Sequence, residues 1–305
     1  MTSSASHDLG PLVLGGNVFG WTADESASFA VLDAFVEAGG TAIDTADAYS
    51  MWVDGHTGGE SERIIGAWLS ARPGMRERVS IATKVFAKPD RPGLAPANGR
   101  AALNESLERL QTDYVDLYYA HRDDPEVPQD DVVMTFGELV AEGLVTRIGA
   151  SNFSADRLHS AVDVAKAHGV EPFTVSQDGY SLVHRDIEAG LVPTLKQLDI
   201  IELPYGALQG GFLTGKYREG ATVDSPRAGR AFQLLETPRN VELLDALQAV
   251  AEDRGVSMAA VALAWLRQQP RVAAPIASAR SVDQLMGLIE SFDLILTEDE
   301  LARLA

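Results

Sequence analysis

Leu14-Gly15-Gly16-Asn17-Val18-Phe19-Gly20 closes the first apolar run of the chain, and its glycines decide between two folds. An open, doubly wound dinucleotide-binding sheet needs G-x-G-x-x-G between its first strand and first helix. Glycines at 15, 16 and 20 do not have that spacing. Working outward, short β-branched or apolar runs recur at Pro11–Phe19, Thr41–Thr45, Val79–Val85, Val115–His121, Val145–Ser151, Phe173–Gln177, Asp199–Pro204 and Val272–Ser278. Between them the apolar residues fall at helical spacing, as in Leu103, Leu107 and Leu110 or Leu158, Val162 and Ala165. Gly39, Gly143 and Gly169 stand where helices should stop, and Thr297-Glu-Asp-Glu300 is a capping box. Arg91–Gly99 and Tyr217–Arg230 read as loops. No linker or internal repeat divides the 305 residues. Eight strands alternating with helices, without the glycine fingerprint, predict an α/β chain folded as a (β/α)8 TIM barrel, one domain over residues 1–305.

Composition narrows the function. The chain is 46% hydrophobic and 23% charged, the proportions of a folded globular protein. No apolar run approaches the roughly 20 residues that cross a bilayer, and the opening MTSSASHDLG lacks a basic-then-apolar leader pattern. A cytoplasmic protein is the expectation. With no cysteine, disulfides, a thiolate nucleophile and cysteinyl metal sites are excluded. A net charge of −19, from 44 acidic and 25 basic groups, repels nucleic acid and anionic membranes, so neither is expected as a partner. An anionic ligand needs a local basic cluster.

In a barrel, reactive groups come from the C-terminal ends of the strands. Those ends read Asp44-Thr45-Ala46-Asp47-Ala48-Tyr49, Ala82-Thr83-Lys84, Tyr118-Tyr119-Ala120-His121, Gly149-Ala150-Ser151-Asn152, Gln177 and Pro204-Tyr205. Each residue also has a bland reading. Asp44 and Asn152 can cap turns, Tyr49 can be a core-edge aromatic, and His121 a satisfied core histidine. Lys84 resists it, because a buried ammonium needs a carboxylate, and Asp44 is the nearest at a strand end. Tyr49, Lys84 and His121 are separated by 35 and 37 residues, one β/α unit each, which brings them to one rim. Together they form a proton-donating constellation. Lys84 is expected to lower the phenol pKa from about 10, Asp44 to hold the lysine, and His121 to orient or polarise a substrate oxygen.

These residues resemble the aldo-keto reductase superfamily. The stretch from Asp44 to Tyr49, followed by Ser61-Glu62-x-x-Ile65-Gly66, is similar to that family's opening signature. Thr83-Lys84, His121, Gly149-x-Ser151-Asn152, and Gln177 with Tyr180-Ser181-Leu182 follow in the family's order. Tyr205-Gly-Ala-Leu208-Gln-Gly-Gly-Phe-Leu-Thr-Gly-Lys216-Tyr and Pro275-Ile-Ala-Ser278-Ala-Arg280-Ser-Val-Asp-Gln284-Leu resemble its pyrophosphate and adenosine-phosphate segments. The resemblance runs from about Leu14 to Leu304. It implies reversible reduction of an aldehyde or ketone with NADPH (NADP+). It also implies a tetrad of Asp44, Tyr49, Lys84 and His121, with Tyr49 as proton donor. By the same resemblance Ser151, Asn152 and Gln177 hold the nicotinamide carboxamide, and Tyr205 stacks on the ring. Gly206, Ala207, Leu208, Gln209 and Gly210, with Lys216 and Arg227, hold the pyrophosphate. Ser278, Arg280 and Gln284 hold the adenosine end, where Ser281-x-x-Gln284 also reads as a capping box.

Three departures stand out. Leu288 occupies a position often Asn in the family, Gly206-Ala207-Leu208 replaces its Ser-Pro-Leu, and Ser50–Gly59 is a longer loop than many members carry. In that loop Trp52 is placed to wall the substrate pocket, while His56 reads as a solvated residue. Two rival functions use the same barrel: a Schiff-base aldolase through Lys84, or a non-catalytic barrel that senses a nicotinamide cofactor. A metal hydrolase is excluded, because none of the six histidines has His-x-His spacing. Substrate walls come from loops, so the reading stops at a small-molecule carbonyl substrate.

Overall fold

The apolar runs become eight parallel strands in the computed structural model, which describes residues 9–305. They are β1 Val13–Gly15, β2 Ala42–Asp44, β3 Ser80–Val85, β4 Val115–Ala120, β5 Val145–Ser151, β6 Val175–Gln177, β7 Ile201–Glu202 and β8 Ile276–Ala277. Their order is β7-β6-β5-β4-β3-β2-β1-β8. The two ends of that order are joined by backbone bonds. Glu202 N–H donates to Arg271 O at 2.8 Å, Ala273 N–H to Glu202 O at 2.9 Å, and Ile276 N–H to Pro204 O at 2.9 Å. Eight curled parallel strands with intervening helices are consistent with the (β/α)8 barrel expected from the sequence.

Alternation along the strands produces two cores. One set of positions, Val13, Ala42, Ala82, Leu117, Tyr119, Val175, Leu203, Ala274 and Ile276, packs together as an inner cluster. The opposite set, with Leu14, Ile43, Ile81, Tyr118, Ile148 and Ala150, packs with the helices as the larger one. Moving two residues toward the C-terminal end from Ala42, Ala82, Tyr119, Val175, Leu203 and Ile276 reaches Asp44, Lys84, His121, Gln177, Tyr205 and Ser278. Period two therefore carries the polar strand ends onto the same inward side as the inner core.

Helix boundaries follow local chemistry. Thr297 and Glu300 make the reciprocal capping box, and Gly169, at φ 68°, closes the helix Ala155–His168. Gly39 and Gly143 follow helix ends at φ 91° and 78°. Two predicted loops are shorter than read. The helix Pro96–Leu110 begins inside Arg91–Gly99, since proline in the first turn gives up only an N–H that has no helical partner. The helix Ala228–Gln233 begins inside Tyr217–Arg230. The leader reading of the first residues falls mostly on Met1–Asp8, outside the described residues. Among the described residues, no helix is long and apolar enough to cross a membrane.

Candidate active site

Lys84 is fully buried, and its ammonium is saturated. Nζ lies 2.7 and 2.6 Å from Asp44 Oδ1 and Oδ2, 2.7 Å from Thr45 O and 3.1 Å from Tyr49 Oη. The short parallel register that sets Asp44 against Ala82 and Lys84 against Tyr119 makes this pairing possible. Tyr49 donates to Asp44 Oδ2 at 3.2 Å, and Gln177 Nε2 donates to Asp44 Oδ1 at 2.9 Å. Burial and the Asp44 carboxylate hold the Tyr49 hydroxyl well above its ordinary value of 10. The direction expected from Lys84 alone is thus reversed. Asp44 neutralises the lysine, and the phenol gains a negative neighbour as well as a positive one.

His121 lies on the same rim, its ring centroid 6.2 Å from that of Tyr49 at an interplanar angle of 71°. Burial first, then the charges of Lys84 and Arg122, push its pKa down to about 3, so the imidazole is neutral. Its Nδ1 is shielded and has no hydrogen-bond partner among the described residues. The His121 carbonyl accepts from Asn152 Nδ2 at 3.1 Å, and Asn152 Oδ1 accepts from Tyr205 Oη at 2.8 Å. Asn152 sits at φ 57°, a left-handed conformation that Asn tolerates, and also donates to Ser151 Oγ at 2.9 Å. Tyr205 is 41% exposed and presents a ring to this rim. Asn152, Ser151 and Tyr205 thus lie together, and the Gln177 amide bonds to Asp44 on the same rim.

Farther around the rim, the chain from Gly206 is left-handed at Gly206, Gln209, Gly210, Gly211 and Gly215, with φ of 70°, 45°, 65°, 94° and 80°. Gly206, at φ 70°, holds a conformation that L side chains rarely adopt, at the position where the family's Ser-Pro-Leu carries serine. Ala207 is buried and Leu208 half-buried, while the Gln209 side chain donates to Ser181 Oγ at 3.1 Å. Lys216 packs over the Tyr217 ring at 5.1 Å and Arg227 over Trp21 at 5.3 Å. Among the described residues Lys216, Arg227 and Arg280 make no salt bridge, whereas most other arginines do. Burial and the charge of Arg280 lower the Arg227 pKa. Ser278 donates to Asn17 Oδ1 at 2.6 Å, and a Cβ on Gly15 would collide with Ser278 Oγ. Gln284 makes half of the expected capping box. Its N–H donates to Ser281 Oγ at 3.3 Å, but its side chain accepts from Arg280 N–H at 3.2 Å. Leu288 is buried in the core, which explains an apolar residue there.

Sequence reading missed three neighbours of this site. Trp21 meets Trp52 edge-on at 5.5 Å, and Trp52, 47% exposed, lies 6.2 Å from Tyr49. Asp178, next to Gln177, accepts from Asn152 N–H at 3.1 Å and from Ser176 Oγ at 2.6 Å; burial raises its pKa to about 6. Asp47, two residues before Tyr49, is buried, and among the described residues neither of its carboxyl oxygens has a hydrogen-bond partner. In the Ser50–Gly59 loop His56 is half-buried with a shielded Nδ1, not solvated.

Eight curled parallel strands thus carry at one rim a buried lysine–aspartate pair against a tyrosine hydroxyl. The family model described as Aldo/keto reductase family matches residues 11–305, and the chain belongs to that family of oxidoreductases. It is 34% identical over 290 residues to the aldo-keto reductase YhdN of Bacillus subtilis (strain 168), covering 92% of this chain and 83% of that protein. It is 33% identical over 331 residues to protein tas of Escherichia coli (strain K12), covering 98% and 94%. Norsolorinic acid reductase B of Aspergillus parasiticus (strain ATCC 56775 / NRRL 5862 / SRRC 143 / SU-1) is 32% identical over 320 residues, covering 98% and 81%.

Proposed function

We propose that this chain is one barrel domain that reduces an aldehyde or ketone reversibly to the alcohol with NADPH, and that Tyr49 donates the proton. The observation that supports this most is the Tyr49 hydroxyl, held between Lys84 Nζ at 3.1 Å and Asp44 Oδ2 at 3.2 Å with His121 beside it. The cofactor fits the residues present. Among the described residues Lys216, Arg227 and Arg280 are cations without carboxylate partners, in a protein of net charge −19 and beside backbone that glycine opens. Tyr205 offers an exposed ring, and Asn152 and Ser151 offer polar side chains next to it. In this reading Ser151, Asn152 and Gln177 face the carboxamide, and Gly206 to Gly210 with Lys216 and Arg227 take the pyrophosphate. Ser278, Arg280 and Gln284 take the adenosine end.

The nicotinamide, when bound, supplies the hydride. Tyr49 is protonated in the resting site and gives its proton to the carbonyl oxygen as that oxygen gains charge. The Lys84 ammonium, already bonded to Tyr49 Oη, stabilises the phenolate left behind, and Asp44 keeps the ammonium in place. A neutral His121 polarises the carbonyl without competing as an acid. The aldolase alternative needs a free Lys84 amine, and four hydrogen-bond contacts within 3.1 Å oppose it. The test is a panel of aldehydes, ketones and keto-sugars with NADPH and NADH, followed by absorbance of the reduced nicotinamide. Turnover of carbonyl compounds is expected. Cofactor binding without any turnover would favour the sensing barrel.

A further inference from the structure

Arg227 faces two ways. Its guanidinium lies over the Trp21 ring, from which the stack continues edge-on to Trp52 and then to Tyr49, with centroid steps of 5.5 and 6.2 Å. Its stem runs beside Gly210, and the charge of Arg280 bears on its head, so it also belongs to the unpaired cationic group with Lys216. A guanidinium can do both at once. Its N–H donors lie in the plane and bind a phosphate along one edge, while an aromatic ring occupies the face. An ammonium has no such division.

We propose that Arg227 couples phosphate binding to the aromatic wall beside Tyr49. A pyrophosphate seated on Lys216 and Arg227 fixes the plane of the Arg227 guanidinium, the plane fixes Trp21, and Trp21 fixes Trp52. The exposed face of Trp52 then receives a flat, neutral aromatic carbonyl compound next to the Tyr49 hydroxyl. Arg227 is thus a positioning residue for the substrate as well as a contact for the cofactor. The inference rests on the reductase reading, because that reading supplies both ligands.

The nicotinamide ring would itself touch a substrate, so the test removes it. The probes are 2′-phospho-ADP-ribose, which keeps the phosphates without the nicotinamide, and benzamide, an unreactive relative of an aryl carbonyl compound. Benzamide binding is measured by equilibrium dialysis with and without saturating fragment, and fragment binding by calorimetry. In the wild type the fragment should tighten benzamide about 5- to 20-fold, and benzamide should tighten the fragment by the same factor, as linkage requires. In Arg227→Lys and in Trp21→Leu the fragment should still bind, but the benzamide constant should be equal with and without it. A wild type that binds the fragment without coupling overturns the proposal and leaves the reductase reading standing. Coupling that survives undiminished in Arg227→Lys also overturns it. A protein that binds neither NADPH nor the fragment overturns both.

Discussion

At the scale of single residues, Tyr49 keeps its proton because burial and Asp44 both oppose a phenolate, and Lys84 Nζ lies 3.1 Å from the hydroxyl. Tyr49→Phe removes the proton and little else. It is expected to lower kcat by roughly 10²- to 10⁴-fold while the NADPH dissociation constant hardly moves. Steady-state kinetics beside a cofactor titration checks this, and full activity in the variant would remove Tyr49 from the mechanism. Asp47 illustrates what sequence spacing hides. Its oxygens lack hydrogen bonds, and burial, with the Glu62 carboxylate nearby, raises its pKa from 3.8 to about 8. The folded chain therefore holds a proton that the unfolded chain releases above 3.8, so stability is fullest below that value and falls as pH rises toward about 8. Asp47→Asn is neutral throughout. Its melting temperature should gain on the wild type as pH rises from about 4 to 8 and then keep a constant lead; a lead that shrinks with rising pH contradicts this. The strand-end position of Asp44 points to it as the partner of a cation, but nothing in Asp44-Thr45-Ala46-Asp47 says that Asp47 is buried without one bonded to it. That depends on Lys84, which arrives on another strand.

Among the elements, the strands were legible because burial on two faces leaves near-continuous apolar runs. The ladders are shorter than the runs. The run Asp199–Pro204 contains only Ile201–Glu202 as β7, although the chain stays bonded beyond it, Leu203 N–H to Ser176 O and Tyr205 N–H to Asp178 O, both at 2.9 Å. The start of the helix Pro96–Leu110 was harder to see than its body, because proline and glycine punctuate its first turn as they would a loop. Gly66 was visible only as part of a motif, and packing now supplies its reason. It lies in the helix Glu60–Ser70, where a Cβ would collide with the backbone carbonyl of Arg109 and with Leu110, at the end of the neighbouring helix. In an exposed helix Gly→Ala would stabilise by about 0.5–1 kcal/mol. Here Gly66→Ala is expected to destabilise by about 1–3 kcal/mol, because the two helices must separate. Urea unfolding of the two proteins decides the sign, and a stabilised variant would mean that the helices part at no cost.

Over the whole molecule, the net charge of −19 makes the unpaired cations informative. Composition alone forecasts that an anionic ligand needs a basic cluster, but not where, because Lys216, Arg227 and Arg280 are spread over 65 residues of sequence. The barrel brings them to one side of its rim. Arg280 follows β8, and its guanidinium has no carboxylate partner among the described residues; its backbone N–H donates to Gln284 Oε1 at 3.2 Å. In the proposed reading Lys216 and Arg227 serve the pyrophosphate, which NADPH and NADH share, and Arg280 serves the 2′-phosphate, which only NADPH carries. A hydrogen bond to a charged group contributes about 1.5–3 kcal/mol, or roughly 10- to 150-fold in affinity. Arg280→Ala should therefore weaken NADPH by about that factor and leave NADH nearly unchanged. Leu288 is buried and the same in both proteins, so it does not enter the ratio. The measurement is four dissociation constants, two cofactors with two proteins, by quenching of tryptophan emission. If the wild type binds NADH as tightly as NADPH, Arg280 is not reading the 2′-phosphate, and the preference falls while the reductase chemistry at Tyr49 stands.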